Sequence, residues 1–163
     1  MYDSSSPLGV GLEGQQLATQ ALAVELYQYL ADAPPEYVGL HYTSQYVGGF
    51  SQSSIMGFRA DESEGWRGIR SPERPLDKLS DQLRQAMYTE GGGTWFGATV
   101  SVTREDKASM KFNYDEEPDF GREVPAHLYV ADQRLFPRDV KNIPAWLAEK
   151  HAEGEKNPPP YSA

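Results

Sequence analysis

The sequence predicts an α+β fold: an antiparallel β-sheet of two hairpins, covered on one face by α-helices, in the order α-β-β-α-β-β-α-α. Three observations carry this expectation. Leu22, Leu26 and Leu30 recur at helical spacing, and Leu76, Leu79, Leu83 and Met87 form a second stripe of the same period. The segment "TWFGATVSVTRED" alternates apolar and polar residues, as a strand with one dry and one wet face does. Short turn-like segments separate the strand-like runs, so each pair can close as a local hairpin without a parallel crossover.

The first element is "GQQLATQALAVELYQYLAD", where Ala21, Val24 and Tyr29 flank the leucines. The prolines of "APP" end it at Ala33–Pro35, because the residue before a proline is pushed out of the helical region. Tyr37, Val38, Tyr42, Thr43, Tyr46 and Val47 then favour a strand, and Gly48-Gly49 marks a hairpin turn into Phe50, Ile55 and Phe58. "ESEGWRGIRSPERP", from Glu62 to Pro75, reads as a polar loop holding Trp66. "PLDKLSDQLRQAMYTEGGG" is the clearest helix, with Pro75 suited to its first turn and Gly91 to its stop.

The alternating strand follows, with Phe96, Ala98, Val100 and Val102 on one side and Thr99, Ser101 and Thr103 on the other. Arg104–Ala108 is the turn, and Met110, Phe112 and Tyr114 answer from the return strand. The C-terminal part reads as a short helix, a break at Pro137 and a last helix opened by Pro144. The domain boundaries expected are a flexible N-terminus over 1–13, one α+β domain over 14–153 and a proline-rich disordered tail over 154–163.

Composition narrows the function. The chain has 163 residues, 39% hydrophobic and 24% charged, ordinary values for a globular domain. It has no cysteine, which removes disulfides, thiolate metal sites and a cysteine nucleophile. The N-terminus lacks a basic flank and an apolar core, and no apolar run approaches a membrane span, so a cytoplasmic location without membrane contact is expected. The formal net charge of −9 opposes binding to nucleic acid or anionic lipid, and it serves either solubility alone or attraction to a basic partner.

A search for chemistry comes back nearly empty. His41, His127 and His151 show no metal-ligand spacing, and neither a GxSxG elbow nor a P-loop is present. "KFNYDEEPDF" gathers Asp115, Glu116, Glu117 and Asp119 around Pro118. It lacks the alternating ligands and fixed glycine of a calcium loop, and adjacent carboxylates on a turn do not oppose each other around a substrate. No catalytic residue, no metal ligand and no cofactor is therefore assigned. Binding is the expected role, with these four carboxylates facing a basic partner, or else forming a solvated turn, and with Trp66, ahead of Trp95, as an aromatic anchor. Tyr46 and Phe50 on the aromatic hairpin extend the candidate surface. A different class stays open: an enzyme or small-ligand protein using the hairpin aromatics Tyr37, Tyr42, Tyr46 and Phe50 as a pocket.

The run "LSDQLRQAMYTEGGGTWFGATVSVTREDKASMKFNYDEEP" resembles the YezG-like family of bacterial immunity proteins. The matching residues are Leu79, Leu83, Trp95, Phe96, Arg104, Glu105, Phe112, Tyr114 and Asp115, and "LYVADQRLFPRD" is similar to the family's aromatic-rich stretch ending near a proline. The loop around Trp66 and the proline-rich tail depart from the pattern. The resemblance implies an antitoxin that binds the toxin domain of a secreted bacterial effector in the producing cell. Family targets include nucleases delivered by type VII secretion, and an acidic inhibitor can fill a groove built for phosphates. An NAD-hydrolysing toxin is the alternative target, with the inhibitor plugging a cofactor cleft. Oligomeric state is not legible.

Overall fold

The computed structural model describes residues 11–69, 71 and 75–160. It is an α+β structure with one five-stranded antiparallel sheet and four α-helices. The elements are α1 (Gly11–Asp32), β1 (Gly39–Val47), β2 (Phe50–Phe58), β3 (Glu64–Arg67), α2 (Leu76–Ala86), β4 (Gly97–Thr103), β5 (Ala108–Asn113), α3 (His127–Leu135) and α4 (Ala145–Lys156), with a 3₁₀ turn at Val140–Asn142. The sheet order is β3-β2-β1-β4-β5. Tyr46 N–H donates to Phe96 O and Arg104 N–H to Val38 O, so β1 and β4 run antiparallel although a helix separates them in sequence.

Three expectations change. The segment read as a polar loop contributes β3, which pairs with β2 through Met56↔Arg67 and Gly57↔Trp66. Four residues that are mostly polar carry no alternation; the strand exists because β2 offers it an edge. Helix α2 stops at Ala86, before the glycines, and Gly91–Gly93 shape a separate turn. Helix α4 runs to Lys156, three residues into the tail expected to be loose, and α1 begins at Gly11. The expectations for Met1–Val10 and for residues 161–163 lie outside the described residues.

Within the span read as one domain, the chain forms two compact units. The first holds residues through Ser44, Ser53–Met87 and Ala98–Lys111. Here α1 and α2 pack together. Ala18, Leu22, Leu26 and Leu30 from α1 are buried, as are Leu76, Leu79 and Leu83 from α2. The strands contribute Leu40, Tyr42, Ile55, Ala98, Val100 and Val102. The leucine stripes therefore do what their period implies, burying one face of each helix. Polar pairs fix the register: Tyr42 Oη–H donates to Asp77 Oδ1 at 2.5 Å, and the Ser44 and Ser80 hydroxyls share a hydrogen bond of 2.6 Å.

The second unit holds Gln45–Gln52, Tyr88–Gly97 and the chain from Phe112 on. Its core is aromatic, built from Val47, Phe96, Phe120, Val124, Tyr129 and Leu147, with Phe50, Leu128, Ile143 and Trp146 packed against them. Phe96, Tyr129 and Trp146 meet pairwise, with centroids 5.6–6.1 Å apart and tilted or edge-on rings. The β1–β2 turn belongs here. Gly48 takes φ +56°, and a Cβ there would come within 2.8 Å of Leu128 O, so glycine is required. Trp95 is fully buried, edge-on to Tyr46 and beside Phe112.

Candidate partner-binding site: the acidic loop after β5

Strand β5 ends at Asn113, and the next six residues carry the carboxylates that stood out in the sequence. Their order has specific causes. Asn113 brackets the turn: its Nδ2–H₂ donates to Glu116 O at 2.9 Å, and its Oδ1 accepts from Glu116 N–H at 2.9 Å. Asp119 Oδ1 accepts from Gly121 N–H at 2.8 Å and folds the next corner. Pro118 is buried between them. Trp146 of α4 donates its indole N–H to Asp115 O at 2.7 Å, fastening the loop to the aromatic core.

Arg138 fastens it more tightly. Its side chain is 3% exposed, whereas that of its ion-pair partner Asp115 is 77% exposed. The guanidinium donates to Asp115 Oδ1 at 3.3 Å, Tyr114 O at 2.6 Å, Thr94 O at 3.1 Å and Asn142 O at 3.2 Å. It also lies 5.1 Å from the Phe96 ring centroid. One arginine thus joins the turn after α2, the acidic loop and the 3₁₀ turn. The planar fork is suited to this, since it can serve several acceptors at fixed angles. Gly93 makes room for it: a Cβ at that position would fall 2.6 Å from Arg138 Cγ. Burial raises the Tyr114 hydroxyl above its usual pKa, and the Arg138 charge opposes that rise.

The four carboxylates are exposed but not equivalent. Asp115 pairs with Arg138, and Glu117 with Lys150 at 3.5 Å. Lys150 also lies 6.0 Å from the Tyr129 ring centroid. Burial, helped by Glu117 and Asp132, pushes the Tyr129 phenol up to about 12, so it is neutral at ordinary pH. Glu116 and Asp119 form no ion pair with lysine or arginine among the described residues. The arrangement is an ordered ledge of negative charge without opposed groups for acid–base work. Among the described residues, no group of three His, Asp or Glu side chains could hold a metal ion.

The other candidates separate. Phe50 is half-buried, edge-on to Phe120 at 5.3 Å, with Arg122 over its face. It lies in the same unit as the acidic loop. Tyr46 is in that unit too but only 7% exposed, so its ring serves the core. Trp66 belongs to the first unit, half-buried on β3 with its ring 6.4 Å from Tyr37. Tyr37 and Tyr42, candidates for a ligand pocket, are buried. A groove of about 270 Å³ in the first unit is lined by Ser53, Ser54, Ile55, Arg67, Gly68 and Ile69, not by the tyrosines.

Sequence reading missed Arg138, Trp146 and Lys150. None lies near the acidic run in the chain, and a single arginine after a proline has no period to mark it. Among the described residues, no helix is long and apolar enough to cross a membrane. Compared with protein-family models and with curated proteins, the chain finds no match.

Proposed function

We propose that this chain is an immunity protein that binds a cognate secreted bacterial toxin, a nuclease in the leading form, and occludes its active site. The observation that supports it most is the ordered acidic loop. A chain of net charge −9 presents Glu116 and Asp119 on a turn fixed from behind by Arg138 and Trp146. A nuclease cleft is basic because it holds phosphates, and opposite charge speeds encounter with it. A turn that is already ordered avoids the entropy of ordering on binding. The likeness to YezG-like immunity proteins supports the same reading, and it gives the producing cell's cytoplasm as the place of action.

The test is co-expression with the toxin domain encoded beside this chain, followed by copurification and a DNA or RNA digestion assay. The expected result is a stable complex in which digestion is suppressed at equimolar ratio, with association slowing as salt rises. A neighbouring toxin that does not copurify, and digests equally fast with this protein present, would contradict the proposal. If the neighbour instead consumes NAD and is inhibited, the target is the NAD-hydrolysing class.

A further inference from the structure

Several features in the molecule invite a role. His41 Nδ1 lies 2.6 Å from Ser101 Oγ and its ring stacks on Phe58 at 4.2 Å, but among the described residues no carboxylate is hydrogen-bonded to either member of the pair. The groove beside β3 carries exposed Ile69, yet nothing in its lining points to an occupant. The Arg138 cluster differs, because its geometry states what it does.

We propose that Arg138 is the positioning residue of the acidic loop: it selects one conformation of residues 114–119 and so sets where their free carboxylates stand before a partner arrives. This rests on the reading of the loop as a partner-binding surface. A guanidinium with 3% of its side chain exposed is costly unless its donors are matched. Here the matches come from three separate segments, Thr94, Tyr114–Asp115 and Asn142. Moving Tyr114 O and Asp115 Oδ1 away would take from a buried cation its counter-charge and its shortest hydrogen bond, so the loop cannot shift cheaply while Arg138 is in place. The arginine's own backbone is fixed in turn. Its N–H donates to Gln133 Oε1 at 3.2 Å, and Gln133 Nε2–H₂ donates to Arg138 O at 3.0 Å.

The role depends on the fork as well as the charge. A lysine keeps the charge but is a compact point donor that cannot serve four acceptors spread around a plane. Asp115 then serves as the counter-charge of Arg138, and Glu116 and Asp119, which pair with no lysine or arginine among the described residues, are the carboxylates left for a partner.

Amide hydrogen exchange on Arg138→Lys tests this without any partner. The protein should remain folded, while the Glu116 amide and the Trp146 indole N–H exchange faster by roughly tenfold or more, with protection in α1 and α2 retained. Unchanged exchange at Glu116 and Trp146 would overturn the proposal. Should the lysine variant fail to fold, Asp115→Ala reads the same latch from the loop side. Faster exchange confined to the loop supports the proposal, and wild-type protection there contradicts it.

Binding to the neighbouring toxin domain supplies the second arm. Where wild type binds, Arg138→Lys should weaken the complex by roughly tenfold, and adding Glu116→Gln to it should weaken binding less than in the wild-type background. A loosened loop with wild-type affinity would overturn the positioning role. A wild type that does not bind at all sinks the immunity reading and leaves the exchange arm to decide the latch.

Discussion

Two corners of the molecule are each held by an arginine forking onto backbone carbonyls, and they are held differently. In the first unit Arg104 donates from Nε to Tyr37 O at 2.8 Å and from one terminal nitrogen to Ala33 O and Pro34 O at 3.1 and 3.2 Å. Arg104 is exposed, and no carboxylate pairs with it among the described residues. In the second unit Arg138 is buried, serves three carbonyls and has Asp115 as counter-ion. Water can solvate the first guanidinium. The second guanidinium is almost wholly shielded from water, so its charge requires a partner and its donors require acceptors. The same chemical device is a tether at one corner and a latch at the other, and burial makes the difference.

Leu83→Ala sets the scale of an apolar defect. Leu83 is fully buried in the α2 stripe, so its truncation should cost roughly 2–5 kcal/mol in denaturant unfolding. A melting curve identical to wild type would undo the packing of the first unit. Arg138→Met should approach that scale, about 2–4 kcal/mol, because it removes the donor to Tyr114 O and Asn142 O and the counter-charge of Asp115. Arg104→Met should cost no more than about 1 kcal/mol, since the guanidinium it removes is exposed and carries no ion pair among the described residues. Equal losses at the two arginines would break the contrast between tether and latch.

His151 in α4 gives the smallest effect and a pH signature for the second unit. Burial lowers its pKa first of all, with Glu155 and Asp132 opposing and Arg138 reinforcing the decrease. A depressed pKa means that the unfolded chain binds the proton more readily, so the associated stability is full above the unfolded value, near 6.5, and is lost as pH falls through the folded value. His151→Gln should flatten this acid-side decline in thermal unfolding. A decline of unchanged steepness would assign it to the carboxylates instead.

The contrast also explains what was legible in the sequence. The first unit is held by aliphatic side chains at helical or alternating spacing, so Leu22, Leu26, Leu79, Leu83, Val100 and Val102 announced themselves. Strand β3 did not, because its pairing with β2 supplies what its own residues lack. In the second unit the acidic run was conspicuous, but its meaning was not. Whether Asp115 faces a partner or an internal arginine depends on Arg138, twenty-three residues away in sequence, and no local pattern records that meeting. Tyr46 misled for a related reason. An aromatic on a hairpin has the same composition signature whether it lines a surface or, as here, meets Trp95 in the core.

The immunity reading is tested most directly by association kinetics between this protein and its proposed toxin partner, comparing wild type with the double variant Glu116→Gln, Asp119→Asn at low and high salt. These two carboxylates pair with no lysine or arginine among the described residues, so their loss leaves the Arg138 latch and the Lys150 pair in place. The account predicts an unchanged melting temperature, an association rate at low salt reduced by roughly three- to tenfold, and a shallower dependence on salt. A double variant that associates at the wild-type rate at low salt would contradict it and leave the acidic loop as a well-made turn.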